Sequence, residues 1–211
     1  MESLNFFESK FVEYLSDLEF SDGSHDLAHF RRVWHMAKSF CDKDTDLYIV
    51  LAASYFHDIV SYPKNHPLRS QSSRDAAVKA RKILTSMNFP KDKLDGVAHA
   101  IESHSFSANI ETKTMEAKAV QDADRMESLG AIGLARTFYV SGLMNGGLFN
   151  SEDPFAERRE LDDKSYAVDH FSTKLLKLES TMKTEKGRAL AKKRSEYLRN
   201  FLSTLKEELL V

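Results

Sequence analysis

Five of the eight histidines in this 211-residue chain, His25, His29, His57, His99 and His104, fall in or near segments that also contain aspartate, a pairing suited to binding metal or moving protons. The most informative is His57-Asp58. It closes the apolar run Leu51-Ala52-Ala53-Ser54-Tyr55-Phe56, where a buried helix emerges toward an irregular stretch around Pro63. An imidazole and a carboxylate placed there are costly to bury unless each has a strong partner. A divalent cation is one such partner; pairing of a helix-terminal histidine with its own neighbour is the structural alternative. His29 lies on the preceding helix beside Val33 and Trp34, and Asp124 lies in Gln121-Asp122-Ala123-Asp124-Arg125-Met126. Three helices can thus bring two imidazoles and two carboxylates onto one ion. That mixed N/O set suits Mn, Fe, Co, Ni or Zn, and Mg less well. Four protein ligands on an octahedral ion leave two positions for water or substrate.

Spacing alone leaves two choices open. His25 and His29 have the i, i+4 spacing that shares one helix face, and Asp26 between them suits a first helical turn, where a carboxylate meets the positive end of the dipole. Asp122 and Asp124 point about 200° apart on a helix, so only one of them faces a given ion. His99 and His104 lie about 140° apart around their helix and do not share a metal.

The elements that must position these residues read as helices throughout. Only 8 Gly and 4 Pro punctuate the chain, and apolar residues recur at three- and four-residue steps, as in Phe7, Phe11, Leu15 and Leu18. Helices are predicted at about 3–19, 25–41, 45–60, 71–87, 91–104, 114–141, 164–181 and 184–208, with no convincing strand. The expected architecture is all-α, a single domain over 1–211 with its core at about 20–200. The longest irregular stretch, Asn145 to Pro154, contains Gly146-Gly147; with Gly142 it reads as a mobile cover, residues 142–155, over a cleft between central helices.

Composition narrows the function classes. The balance of 30 basic and 32 acidic residues, net −2, argues against a dedicated nucleic-acid binder. Residues 182–211 carry an excess of four positive charges, read as a solvated face. The single cysteine, Cys41, allows no internal disulfide and no Cys-based zinc cluster. The amphipathic, acidic N-terminal segment resembles neither a signal peptide nor a membrane span, so the expected compartment is the cytoplasm.

The order His29, His57-Asp58, Asp124 resembles the HD-domain superfamily of metal-dependent phosphohydrolases, an all-helical fold. The similarity to its small stand-alone bacterial and fungal branch extends through His25-Asp26-Leu27-Ala28-His29-Phe30-Arg31-Arg32-Val33, Tyr62-Pro63-Lys64-Asn65, Ile101-Glu102-Ser103-His104-Ser105-Phe106-Ser107, Gly130-Ala131-Ile132-Gly133-Leu134-Ala135-Arg136 and Asp169-His170-Phe171. The resemblance implies a helical bundle with one divalent ion, Mn favoured, held by His29, His57, Asp58 and Asp124. It selects His29 over His25 and Asp124 over Asp122, and places His104 near the cleft as a substrate contact, outer ligand or proton donor. Asp58 is the candidate to orient or deprotonate the attacking water. Lys64 and Arg125 are the candidate phosphate contacts, Lys as a point charge and Arg as a bidentate donor.

The expected activity is hydrolysis of small phosphorylated metabolites, nucleotides above all. A nucleoside triphosphate pyrophosphohydrolase is the close alternative. A helical sensor or scaffold with a structural metal, and a non-hydrolytic hydratase or oxygenase, are the alternatives of other classes. The expected partner is a small phosphorylated substrate, with no nucleic-acid polymer and no membrane; a homo-oligomer is compatible with the sequence.

Overall fold

The computed structural model describes residues 2–18, 26–62 and 66–209. It is all-α: α1 (Leu4–Ser16), α2 (Leu27–Phe40), α3 (Leu47–Phe56), α4 (Ser72–Ser86), α5 (Leu94–His104), α6 (Met115–Met126), α7 (Gly130–Leu143), α8 (Ala167–Thr173) and α9 (Glu185–Glu208). No described residue belongs to a strand; an isolated parallel bridge joins Gly147 and Tyr166. None of the described helices is long and apolar enough to cross a membrane. The chain forms two compact units, Met1–Asp124 and Arg125–Val211.

In the first unit α3 is the central element. Residues 50–56 are buried on every side, the pattern of a helix enclosed by others, and α1, α2, α4 and α5 pack around it. The stripe Phe7, Phe11 and Leu15 on α1 is fully buried; the Phe11 ring meets Phe56 edge-on at 4.9 Å, and Phe7 meets Phe89 at 5.0 Å. Burying each such side chain contributes about 1.5–3 kcal/mol. Helix starts are fixed by side-chain caps: Ser3, Asp26 and Asp46 accept from the N–H groups of Phe6, His29 and Tyr48. Asp26 therefore precedes the first turn of α2 as its cap, one position earlier than the sequence reading. The Asp46 N–H in turn donates to Glu116 at 2.9 Å, tying α6 to the start of α3.

The second unit has its own aromatic cluster, in which Phe171 lies 6.1 Å from Phe138 and 5.9 Å from Phe201. Two predicted helices end early. The helix expected over 114–141 breaks after Met126, and the reason is local. Gly130 has φ +69°, and a Cβ at Gly133 would stand 2.2 Å from the Ser128 carbonyl carbon, so the backbone turns where only glycine fits. Arg194 closes the end of α6 by donating to the Met126 carbonyl at 2.9 Å. The helix expected over 164–181 is α8 followed by a 3-10 turn, Leu175–Thr181. Asp163 accepts from Thr173 and pairs with His170, both at 2.9 Å, and Lys174 leaves helical geometry with φ −134° and ψ −59°.

The irregular stretch between α7 and α8 is densely tied within this unit. Gly147 N–H donates to Ser165 at 2.8 Å, Ala167 N–H donates to Gly147 at 2.9 Å, and Asp153 accepts from the N–H groups of Glu157, Arg158 and Arg159. Arg159 then grips the buried Asp169 carboxylate with both Nη atoms, at 2.6 and 2.7 Å.

Candidate metal centre

Three helix segments of the first unit converge on one point. His29 comes from the first turn of α2, where the Asp26 cap holds its backbone; His57 is the C-cap of α3, with Asp58 in the turn that follows; Asp124 comes from the last turn of α6. His29 Nε2 and His57 Nε2 lie 3.2 Å apart. Asp124 Oδ1 is 3.8 Å from the first and 3.6 Å from the second, and Asp58 Oδ2 is 3.7 Å from His57 Nε2. Both imidazoles are wholly buried, while the Asp58 and Asp124 side chains keep 17% and 27% exposure. The rings thus form the floor of the cluster and the carboxylates its solvent side.

Backbone carbonyls decide the chemistry of this point. His57 Nδ1 is 3.0 Å from the Ser54 carbonyl, and a carbonyl can only accept, so Nδ1 carries a proton and a neutral ring turns its Nε2 lone pair toward Asp58, Asp124 and His29. The donor set therefore calls for positive charge at its centre. With metal–nitrogen bonds of about 2.0–2.1 Å, neighbouring ligands on one ion stand about 3.0–3.4 Å apart, close to the 3.2 Å between the two imidazoles. The residues fit a divalent ion.

The same charge distribution shifts the acid–base behaviour of the cluster. Burial by itself lowers His57, but the Asp58 carboxylate and then Asp124 outweigh it and push the imidazole up to about 9. Burial would raise Asp124; its bond and attraction to His57, and the nearby His104, hold it instead well below the usual carboxylate range.

His104, at the end of α5, joins the group from the other side. Its Nδ1 bonds the Ile101 carbonyl at 2.6 Å, its Nε2 stands 3.5 Å from Asp58 Oδ1, and its ring meets that of His57 edge-on at 4.9 Å. One set of possible ligands is His29, His57 and Asp124, and a second is His57, Asp58 and His104. The Asp58 carboxylate thus faces His57 with one oxygen and His104 with the other. Gln121, one turn before Asp124, donates to the Ser103 carbonyl at 2.6 Å and secures the end of α5. No side-chain pattern in the sequence marks that bond or the two carbonyls that orient His57 and His104.

Asp122 is fully buried and belongs to neither ligand set. His99 is half-buried and accepts from the Lys113 N–H at 3.0 Å. Arg125 Nη1 donates to the Thr181 carbonyl at 3.2 Å. His25 and Lys64 lie outside the described residues.

The HD domain family pattern matches residues 26–129, which include all four residues of the cluster. YpgQ of Bacillus subtilis is 32% identical over 190 residues, covering 88% of this chain and 84% of YpgQ. The chain belongs to the HD-domain superfamily. Its similarity to solved HD-type structures runs nearly end to end. The crystal structure of YpgQ in complex with ADP superposes with TM-score 0.73 at 28% identity, covering 95% of this chain and 97% of YpgQ. An HD-superfamily hydrolase from Bacillus thuringiensis superposes with TM-score 0.74 at 26% identity over 98% of each chain.

Proposed function

We propose that this HD-domain protein is a divalent-metal-dependent phosphohydrolase of small phosphorylated metabolites, with nucleotides the favoured class. The observation that supports it most is the convergence of His29, His57, Asp58 and Asp124, with the His57 lone pair turned inward and the carboxylates on the solvent side. These four would hold the ion, and Mn suits the mixed N/O donors. A bound divalent cation supplies charge to a phosphoryl oxygen and activates water near neutral pH. Asp58 is assigned to orient the attacking water and take its proton, its side chain being part-exposed beside the ligand His57. His104, 3.5 Å from the far oxygen of Asp58, is assigned to hold that carboxylate's orientation or pass a proton at Nε2. Lys64 and Arg125 are the assigned phosphate contacts. The ADP complex of the relative YpgQ supports a nucleotide ligand.

The test is a screen of Mn-reconstituted protein against nucleoside mono-, di- and triphosphates and simple phosphate esters. Release of orthophosphate marks the phosphatase, and release of pyrophosphate from triphosphates marks the pyrophosphohydrolase. Stoichiometric metal with no turnover on any of them would replace the reading with that of a ligand-binding helical protein.

A further inference from the structure

A surface helix ordinarily turns polar side chains outward, and α7 does the opposite. Its inner side is packed within the second unit, where Gly130 and Gly133 are buried and the Phe138 ring meets those of Phe171 and Phe201. Successive helical residues rotate by about 100°, which gathers Ala131, Ile132, Ala135, Tyr139 and Leu143 on the outer side. All five are exposed. Ile132, Tyr139 and Leu143, with Met144 and Leu148 just beyond the helix, lie between 40% and 61% exposed. From Ala131 to Gly147 the sequence holds one charged residue, Arg136, in a chain of which 29% is charged, and its guanidinium stands 3.9 Å from Glu127. Depletion of charge with retention of aromatic, aliphatic and Met side chains is the composition of the centre of a protein–protein interface.

We infer that the outer face of α7 is covered by a second copy of this chain, the two helices lying antiparallel across a two-fold axis near residue 137. Area is the first argument. With about 150–250 Å² for each large side chain, the five at 40–61% exposure leave about 400–600 Å² of apolar surface in water. A standard interface buries about 800 Å² on each partner, about 57–65% of it apolar, so the patch supplies the apolar share that one half of a stable dimer needs. Shape is the second argument, and it selects the same chain as occupant. A two-fold pairing brings each residue of the stripe against another residue of the same stripe. In the antiparallel register, Tyr139 of each copy lies over Ala135 of the other and Leu143 over Ala131, large against small, as a close-packed seam requires. A parallel pairing would set Tyr139 against Tyr139 and leave a gap at Ala135. The patch also lacks the Lys and Arg that would draw it to an anionic lipid surface.

The experiment is sedimentation velocity of the Mn-loaded full chain over a concentration series, beside Tyr139→Glu, Leu143→Glu and, as control, Val78→Glu. The parent should sediment as a dimer at micromolar concentration. Each α7 variant places a charge at the centre of the seam and should raise the dissociation constant about 30-fold or more, the loss seen at interface hot spots. Because Tyr139 and Leu143 are about half exposed, both variants should keep the helical circular dichroism of the parent, which separates lost pairing from lost folding. Val78 on α4 is equally exposed and lies in the other unit, so Val78→Glu should remain dimeric. A parent that stays monomeric throughout the series would overturn the inference, whether or not it binds lipid vesicles. So would a dimer that persists unchanged in Tyr139→Glu and Leu143→Glu, since the seam would then lie elsewhere, or one that Val78→Glu dissociates to the same extent.

Discussion

At the end of α3 the His57 ring gives one nitrogen to a main-chain carbonyl and presents the other to two carboxylates, so a proton and a metal ion compete for the same lone pair. Because the metal-free imidazole stays charged up to about pH 9, binding the ion below that pH displaces a proton. Mn affinity should therefore rise about tenfold per pH unit, roughly 30-fold between pH 6.5 and 8; titration calorimetry in buffers of different ionisation heat should register the released proton, and an affinity flat across that interval would remove His57 from the ligand set. The two aspartates on α6 separate by the same kind of measurement. Asp124→Ala should abolish bound metal and turnover together. Asp122→Asn should keep stoichiometric metal, because the fully buried Asp122 stands in neither ligand group. Metal retained at full occupancy in Asp124→Ala would reverse the two roles. Lys64→Ala tests the phosphate contact: it should raise KM more than it lowers kcat, with metal content unchanged, if Lys64 holds the substrate in the ground state.

The helices carry these side chains, and their legibility in the sequence followed their causes. α1 and α2 have a one-sided apolar stripe with Ser or Asp at the cap, and α3 is a continuous apolar run, so periodicity and capping chemistry locate them within a few residues. The His57-Asp58 pair is readable for the same reason, since it closes the apolar run of α3, whereas the choice of His29 over His25 and of Asp124 over Asp122 comes from the resemblance to the HD-domain superfamily. The break at residues 127–129 was missed because the apolar pattern runs through it; the turn there rests on backbone geometry, the positive φ of Gly130 and a path past Ser128 that leaves no room for a Cβ at Gly133, which side-chain periodicity does not record. The bonds from His57 to Ser54 and from His104 to Ile101 were unreadable on similar grounds, since their acceptors are main-chain atoms. The break itself is testable. A methyl group at Gly133 would meet the Ser128 backbone at 2.2–2.3 Å, so Gly133→Ala should destabilise the protein by about 2–4 kcal/mol, the range of overpacking and backbone clashes. Gly142→Ala, with nothing near its added Cβ, is the matched control and should be neutral or slightly stabilising in a denaturant titration.

For the whole molecule the same cluster couples metal, proton and stability. In the metal-free chain the folded state holds the His57 proton more tightly than the unfolded state does, with about 9 against an ordinary 6.5. A group raised in this way contributes its full stabilisation below the unfolded value and loses it as the pH climbs to the folded one. The size is about 3 kcal/mol over that interval, or roughly 6–12 °C of melting temperature for a chain of this length. Chelated protein should therefore melt at progressively lower temperature from pH 6.5 toward 9. A divalent ion supplies the charge that the proton supplied, and its apparent affinity grows across the same window, so Mn-loaded protein should hold its melting temperature and the gap between the two curves should widen with pH. His57→Ala removes both the proton site and a ligand, and its melting temperature should respond neither to Mn nor, over this window, to pH. Parallel curves for chelated and Mn-loaded wild-type protein would show that the ion binds away from His57, and would send the search for the metal to other side chains.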